Sequence, residues 1–339
     1  MLAIVIVNTN EYKHLKNCLP NIYSSSFKDF KVIIVDNNST DGSLDYLRKN
    51  FPQVHIIETK KNNGYAGGNN IGMKYAQQQK ADYILLLNPD TVLDKDCLKR
   101  LMEKANQKTI LQPLVLLYKN RKTDLVNTAG GVLNYLGFGY CGSYRAPASK
   151  FKEEKEIPYA SGACTLIPVT VLNNIGLLDE SFFMYHEDTD LCWRARIAGY
   201  NIKLIPEARI WHKYSFSKNR NKLYNAERNR LTFMLKNYAL KTLLLLLPIF
   251  LLNELLVCLY SIKERWFFLK IKSYLYNLSC LRKTLRKRVA IQKTRKKTDQ
   301  ELSSYLSPEL DFEEVEVPAK KFYGKILSFY WQKIKRLLL

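Results

Sequence analysis

Three apolar runs near the start of the chain each end in a polar cluster: residues 2–7 in Asn8-Thr9-Asn10, residues 31–35 in Asp36-Asn37-Asn38-Ser39-Thr40-Asp41, and residues 83–87 in Asn88-Pro89-Asp90. Carboxylates and carboxamides at the carboxyl ends of strands in an open α/β sheet lie where such sheets bind ligands, although Asn and Asp also serve as turn and cap residues. A glycine-rich turn, Gly64-Tyr65-Ala66-Gly67-Gly68-Asn69-Asn70, opens the third helix. Glycine there permits close approach of the backbone to a ligand, and a helix N-terminus favours an anion. Asp90, held rigidly behind its apolar run, suits a hard cation such as Mg²⁺ or Mn²⁺, which would neutralise a diphosphate. His212, in Ile210-Trp211-His212, is a candidate second ligand, since Mn²⁺ accepts imidazole more readily than Mg²⁺ does. The densest acid cluster is His186-Glu187-Asp188-Thr189-Asp190, ahead of Leu191-Cys192-Trp193-Arg194. Its three carboxylates crowd the first turn of a helix, which the macrodipole alone would favour, and one of them is a candidate general base for a hydroxyl.

Apolar runs alternating with amphipathic ones are the pattern of strands joined by crossover helices, so the first half is α/β with a mostly parallel sheet. Strands are expected at residues 2–7, 31–35, 54–58 and 83–87, and helices at 11–24, 43–50, 66–79 and 95–107. Between residues 111 and 158 the periodicity weakens and glycines accumulate, which reads as a hairpin-rich insertion. An apolar stretch at 163–168 and a helix over 187–198 follow.

The 339 residues, 47% hydrophobic, are enough for one large core or two smaller ones. The formal charge of +22 raises nucleic-acid binding as a possibility, but residues 263–297 hold 13 Lys and Arg against the single acid Glu264, and the rest of the chain is only mildly basic. The seven cysteines form no CxxC pair or zinc spacing, as expected of a reducing compartment. Residues 1–7 are too short for a signal peptide. Residues 243–262 are apolar and long enough to cross a bilayer, yet contain Pro248, Asn253 and Glu254. A carboxylate at mid-membrane costs about 3 kcal/mol on insertion scales, so a re-entrant or in-plane helix competes with a span. The basic run that follows interleaves with aromatics, as on a helix lying on anionic lipid at the cytoplasmic face. Residues 299–318 read as a polar linker and 322–339 as a final amphipathic helix. The expected domains are 1–237 as an α/β catalytic domain, 238–298 as membrane-associated helices and 299–339 as linker and terminal helix.

In this order, VNTNEY, VDNNSTDGS, NNGYAGGNN, LLLNPDTVL, SGACTLIP, GLLDESFFMYHEDTDLCWR and IWHK resemble glycosyltransferase family 2, in particular its bacterial rhamnosyltransferase-like branch, from about residue 3 to 240. The resemblance implies a GT-A fold and an inverting single displacement from a nucleotide sugar, dTDP-rhamnose or a UDP-sugar, to a glycan or lipid-linked acceptor. It implies that Asn8 and Asp36, with Asn38, Gly64, Gly67, Asn69 and Asn88, bind the nucleotide. Asp90 and His212 would hold the metal and diphosphate, and Asp188 would be the base. Gly162, Ala163, Glu187, Asp190, Arg194 and Arg228 would face sugar and acceptor. The family's metal motif is often Asp-x-Asp, and here Asn88 stands in its first position. The QxxRW motif of processive synthases is missing, which points to transfer of a single sugar. A nucleotidyltransferase of similar architecture, and a non-catalytic scaffold on membrane or nucleic acid, are the competing readings.

Overall fold

The computed structural model describes residues 1–214, 220–310 and 320–338. It divides into two compact units, one comprising 1–131, 141–192 and 200–215, the other 132–140, 193–199 and 216–339.

The first unit begins β1 (Leu2–Asn8), α1 (Tyr12–Tyr23), β2 (Phe30–Asp36), α2 (Ser43–Asn50), β3 (His55–Glu58), α3 (Gly64–Gln78) and β4 (Tyr83–Leu87). These strands form the parallel order β4-β1-β2-β3. After them along the chain come β5 (Thr91–Leu93), α4 (Cys97–Lys104), β6 (Thr109–Tyr118), β7 (Lys122–Thr128), β8 (Gly131–Asn134), β9 (Gly139–Cys141), β10 (Lys155–Glu156), β11 (Cys164–Pro168), α5 (Val169–Ile175), α6 (Glu187–Ile197) and β12 (Asn201–His212), of which most of β8 and β9 and the second half of α6 belong to the second unit. β11 inserts antiparallel between β4 and β6, and β12 runs parallel to β6 with a register shift between Ile205 and Arg209. The longer pairings are therefore mostly parallel, in an α/β sheet of ten strands.

The fully apolar sequence of β1 reflects helices on both its faces. Leu2, Ile4 and Ile6 join Leu15, Leu19 and Ile22 of α1 in one buried cluster. Val5 and Val7 face α3 instead, which comes close because Gly68 and Gly72 lack side chains there: a Cβ added at Gly72 would lie 2.4 Å from Val5 Cγ1.

The expected strands and helices in the first 110 residues are present, with ends shifted by a few residues. The hairpin-rich stretch expected from residue 111 does contain the β6–β7 and β8–β9 hairpins, and is corrected only at its start. Residues 109–118 form β6, a central strand nine of whose ten residues are buried. Covered on both faces, it has no polar alternation to reveal it, and Pro113 disguises it further.

The second unit holds α7 (Arg220–Asn237), α8 (Leu240–Lys263), α9 (Phe267–Ser279), α10 (Leu281–Lys293), α11 (Asp299–Leu302), β13 (Leu306–Ser307) and α12 (Lys320–Leu337). A buried ion cluster ties α7, α8 and α9 together. Glu227 and Glu254 both accept hydrogen bonds from Arg230 and Lys270, and Tyr274 donates to Glu254 at 2.6 Å. Where a linker was expected, residues 299–310 are ordered. Thr298 closes a capping box on α11, Asp299 accepts the Ala239 amide at 2.6 Å, and β13 pairs with β8. The rest of that stretch, 311–318, lies outside the described residues.

Gly72→Ala should lower stability by about 1–3 kcal/mol through overpacking, exceeding the roughly 1 kcal/mol by which alanine favours a helix over glycine. Gly324→Ala in α12, whose added Cβ meets nothing within 4 Å, should instead stabilise. Urea denaturation of both variants checks the contrast.

Candidate active site

The register of β1 on β2 places Asn8 opposite Asp36. Asn8 Nδ2 lies within hydrogen-bond reach of Asp36 Oδ1 (2.6 Å), Ser43 Oγ (2.7 Å) and Ser39 Oγ (3.0 Å), while Asp36 Oδ2 accepts the Ser39 amide at 2.9 Å. Both side chains are buried, so in this structure they shape the loop after β2 from beneath. Asn38, with φ 62°, is exposed at that loop, as are Thr40 and Asp41. Asn37 Nδ2 donates to the Gly64 carbonyl at 3.0 Å, joining this loop to the start of α3. Gly64 has φ 70°, where a Cβ would also meet the Phe183 carbonyl at 2.5 Å, so the turn requires glycine. Asn69 bonds back to the Tyr65 carbonyl within α3, and Gly67 packs against Asn63.

At the other end of the sheet edge, β12 pairs with β5 so that His212 stands opposite Thr91. This brings His212 Nε2 to 3.2 Å from Asp90 Oδ2. His212 Nδ1 lies 2.9 Å from Asn127 Oδ1 on β7. A carbonyl oxygen accepts, so Nδ1 donates and Nε2 is the atom directed at Asp90. Asp90 Oδ1 is buried with no hydrogen-bond partner. Burial pushes the Asp90 carboxyl up, but the His212 hydrogen bond and charge outweigh it and hold it below the usual carboxylate range. Glu11, whose amide donates to Asn8 Oδ1 at 3.1 Å, is pushed up to about 7 by burial and by the charges of Asp90 and Asp41.

An orphaned carboxylate oxygen beside an imidazole nitrogen, with further carboxylates at Glu11 and Asp41 nearby, suits a divalent cation. Among the described residues no group of three or more His, Cys, Asp or Glu is arranged to hold a metal. Asp90 and His212 would supply two ligands, leaving the other positions to diphosphate oxygens and water, as Mg²⁺ sites often do.

Between these ends lies the acid cluster of α6. Asp188 Oδ2 accepts the Gly162 amide at 3.0 Å, and its Oδ1 accepts the Thr189 amide at 2.7 Å. The Gly162 carbonyl accepts from Tyr65 Oη at 2.6 Å, and the Ala163 carbonyl accepts the Asn88 amide at 3.0 Å. A continuous path thus joins the glycine turn, Asp188 and the strand end that carries Asp90. Of the three acids in the first turn, Glu187 and Asp190 are buried and Asp188 alone keeps partial exposure. Burial, and then the charge of Asp188, push Glu187 well above the usual carboxylate range, so its neutral form is favoured. Glu187 and Asp190, expected on the substrate side, are thus buried beside the partly exposed Asp188. Arg194 and Arg228 belong to the second unit, where the Arg228 guanidinium lies 4.6 Å from the Tyr276 ring centre.

Four features went unnoticed in the sequence. Glu11 sits in VNTNEY and Tyr65 in the glycine turn, so both had a positional signal. Asn127 had none, because its strand was not recognised. The loop before α6 places Phe183, Tyr185 and His186 at φ 61°, 71° and 69°. Such left-handed non-glycine residues cost on the order of 1 kcal/mol each and cluster at functional sites.

Because Glu11 has a folded-state pKa near 7 against an ordinary 4.5, the unfolded chain loses that proton first as pH rises. The metal-free protein should therefore lose stability progressively between those values and carry the full penalty above them. Glu11→Gln should flatten this slope in denaturant midpoints measured with a chelator present; an unchanged slope would assign the titration elsewhere.

The model of the family described as "Glycosyl transferase family 2" matches residues 3–176. The "Low-salt glycan biosynthesis hexosyltransferase Agl10" of Haloferax volcanii is 32% identical over 207 residues, 59% of this chain and 63% of that protein. The "N-acetylglucosaminyl-diphospho-decaprenol L-rhamnosyltransferase" of Mycobacterium tuberculosis is 25% identical over 65% of this chain and 78% of its own. "Rhamnosyltransferase WbbL" of Escherichia coli is 24% identical over 72% and 95% respectively. Among solved structures, GalNAc-T7 with UDP, GalNAc and Mn²⁺ superposes with a TM-score of 0.56 at 16% identity, covering 69% of this chain and 47% of that one. The match thus spans less than two thirds of the Haloferax protein and about half of GalNAc-T7. With a GT-A-like α/β sheet and a family model covering half its length, the chain belongs to glycosyl transferase family 2 and is a glycosyltransferase.

Proposed function

We propose that the protein is an inverting transferase that moves one sugar from a nucleoside diphosphate donor to the hydroxyl of a lipid-linked glycan at the cytoplasmic face of a membrane. The observation that carries this reading is the partly exposed Asp188 carboxylate, tied through Gly162, Ala163 and Asn88 to the strand end bearing Asp90. Asp188 takes the proton of the acceptor hydroxyl as its oxygen attacks the anomeric carbon. The bond from that carbon to the diphosphate oxygen breaks, and its electron pair leaves with the nucleoside diphosphate. Neutral Glu187 adds no second charge beside the base. Mg²⁺ or Mn²⁺ bound at Asp90 and His212 supplies charge neutralisation for the departing diphosphate. The loop after β2, shaped by Asn8 and Asp36 and presenting Asn38, receives the nucleoside, with the glycine turn beside it.

The names of the rhamnosyltransferase relatives support rhamnose as the sugar moved, with dTDP-rhamnose and UDP-sugars the candidate donors; the mycobacterial name supports a lipid-diphosphate acceptor. Residues 1–237 would form the catalytic domain and the helices of 238–298 the membrane-associated part, with α12 closing the chain.

Purified protein titrated with a panel of nucleotide sugars, with and without Mn²⁺, should bind one donor in a metal-dependent way, and Asp36→Ala and Asp90→Ala should both weaken that binding. Binding of no donor would overturn the reading. Asp188→Asn should lower turnover by about 10²–10⁴-fold, the usual contribution of a general base, with donor affinity nearly unchanged in calorimetry. Loss of both together would remove Asp188 from the role of base.

A further inference from the structure

Helices α8 and α9 of the second unit have their polarity reversed. On α8, Leu240, Leu244, Leu251, Leu255, Leu259 and Ile262 point outward and are 55% to 64% exposed. At 3.6 residues per turn they share one half of the helix, and Thr242, Asn253, Glu254 and Ser261 are buried on the other, with only Leu246 and Ile249 as apolar companions. That inner half is buried and engaged: Glu254 with Arg230, Lys270 and Tyr274, and Asn253 Oδ1 with Tyr323 Oη at 3.1 Å. α9 repeats the arrangement. Phe268, Leu275 and Leu278 are 86%, 61% and 69% exposed, while Lys270, Ser273 and Asn277 face inward.

A core helix of a water-soluble protein has the opposite polarity. A bilayer-crossing helix would need its whole surface matched to lipid or to other spanning segments, and α8 is instead held by its polar half to α7 and α9. One apolar half-cylinder beside a fixed polar half suits a helix lying along an interface. Charge indicates the kind of surface. Lys263, Arg265, Lys272, Arg282, Lys283 and Arg286 are exposed on or beside these helices. Arg288 and Arg295 are not part of this set, because their guanidinium groups donate to the carbonyls of Leu235, Asn237 and Tyr238 at and just beyond the end of α7.

We propose that α8 and α9 lie in the plane of an anionic membrane, with their leucine and phenylalanine faces in one leaflet, and that α8 does not cross. This rests on the membrane location in the function proposed above and specifies how the chain is held there.

The test uses the full chain with vesicles of phosphatidylethanolamine and phosphatidylglycerol. Unaltered protein should float with them, and Leu251→Ser/Leu255→Ser should bind about tenfold or more weakly. Phe268→Ser provides a second variant on another helix, and retained donor binding with unchanged circular dichroism shows that each is folded. Topology is read from Lys241→Cys and Arg265→Cys at the two ends of α8 in sealed inverted membranes. Labelling of both by an impermeant maleimide without detergent supports the in-plane placement; labelling of one alone overturns it in favour of a span. A leucine variant that dissociates a lipid-free dimer but binds vesicles normally would assign the face to a second copy and also overturn it. Loss of donor binding with vesicle binding intact would count against the transferase reading only.

Discussion

The Asn8 carboxamide is the point from which the polar cluster at the ends of β1 and β2 is built. It reaches three acceptors, Asp36, Ser39 and Ser43, that belong to the end of β2, the loop after it and the start of α2. Only parallel pairing of β1 with β2, in the register that sets Asn8 against Asp36, brings these groups within reach. Asn37 extends the network to Gly64, so the glycine turn is placed by the same loop. A one-residue slip of β1 would turn Asn8 to the other face and exchange Leu2, Ile4 and Ile6, packed on α1, with Val5 and Val7, packed against the glycines of α3, which is why the register is strongly determined. Polar groups buried this deeply are stable because they are hydrogen-bonded to one another.

Electrostatics then separates the carboxylates into roles. Asp90 stays ionised beside His212, Glu11 shares a proton near neutrality, and Glu187 favours its neutral form beneath Asp188. Residues of the same type, close together, differ because burial and neighbouring charge differ. In the function proposed above, a cation held between the Asp90 carboxylate and a diphosphate would offset the repulsion between them. His212 can serve such a cation because Asn127 fixes which nitrogen faces Asp90.

The second unit resolves the cost of a carboxylate in an apolar helix by pairing it. Glu227, Glu254, Arg230 and Lys270 bring two negative and two positive charges together in the interior. Such clusters contribute little net stability, but leaving one member unpaired costs about 3–5 kcal/mol. The cluster therefore fixes which face of α8 is inside, and the leucines are left on the outside. It also changes the meaning of the basic run. Lys270 is buried, and Arg288 and Arg295 cap α7, where cations offset the negative end of a helix.

The alternation of apolar runs with polar ends was enough to place β1 to β4, the helices between them and the polar cluster at their carboxyl ends, because each strand is local and bounded by its own turn. The ordered motifs likewise marked the family. Legibility failed where the information was not local. β6 is buried on both faces and so carries no alternation, and Asn127 beside it had no signal as a partner of His212. That Glu187 is buried while its neighbour Asp188 keeps partial exposure depends on how α6 lies against Gly162, which spacing along one helix cannot reveal. The sequence showed that residues 243–262 were apolar and carried a glutamate; Arg230 and Lys270, 24 and 16 positions away, decided which way that glutamate faces. Composition and periodicity determine which elements form, because those depend on neighbours along the chain. Pairing across the fold decides which of their polar groups are buried, charged or exposed, because burial and electric field depend on neighbours in space.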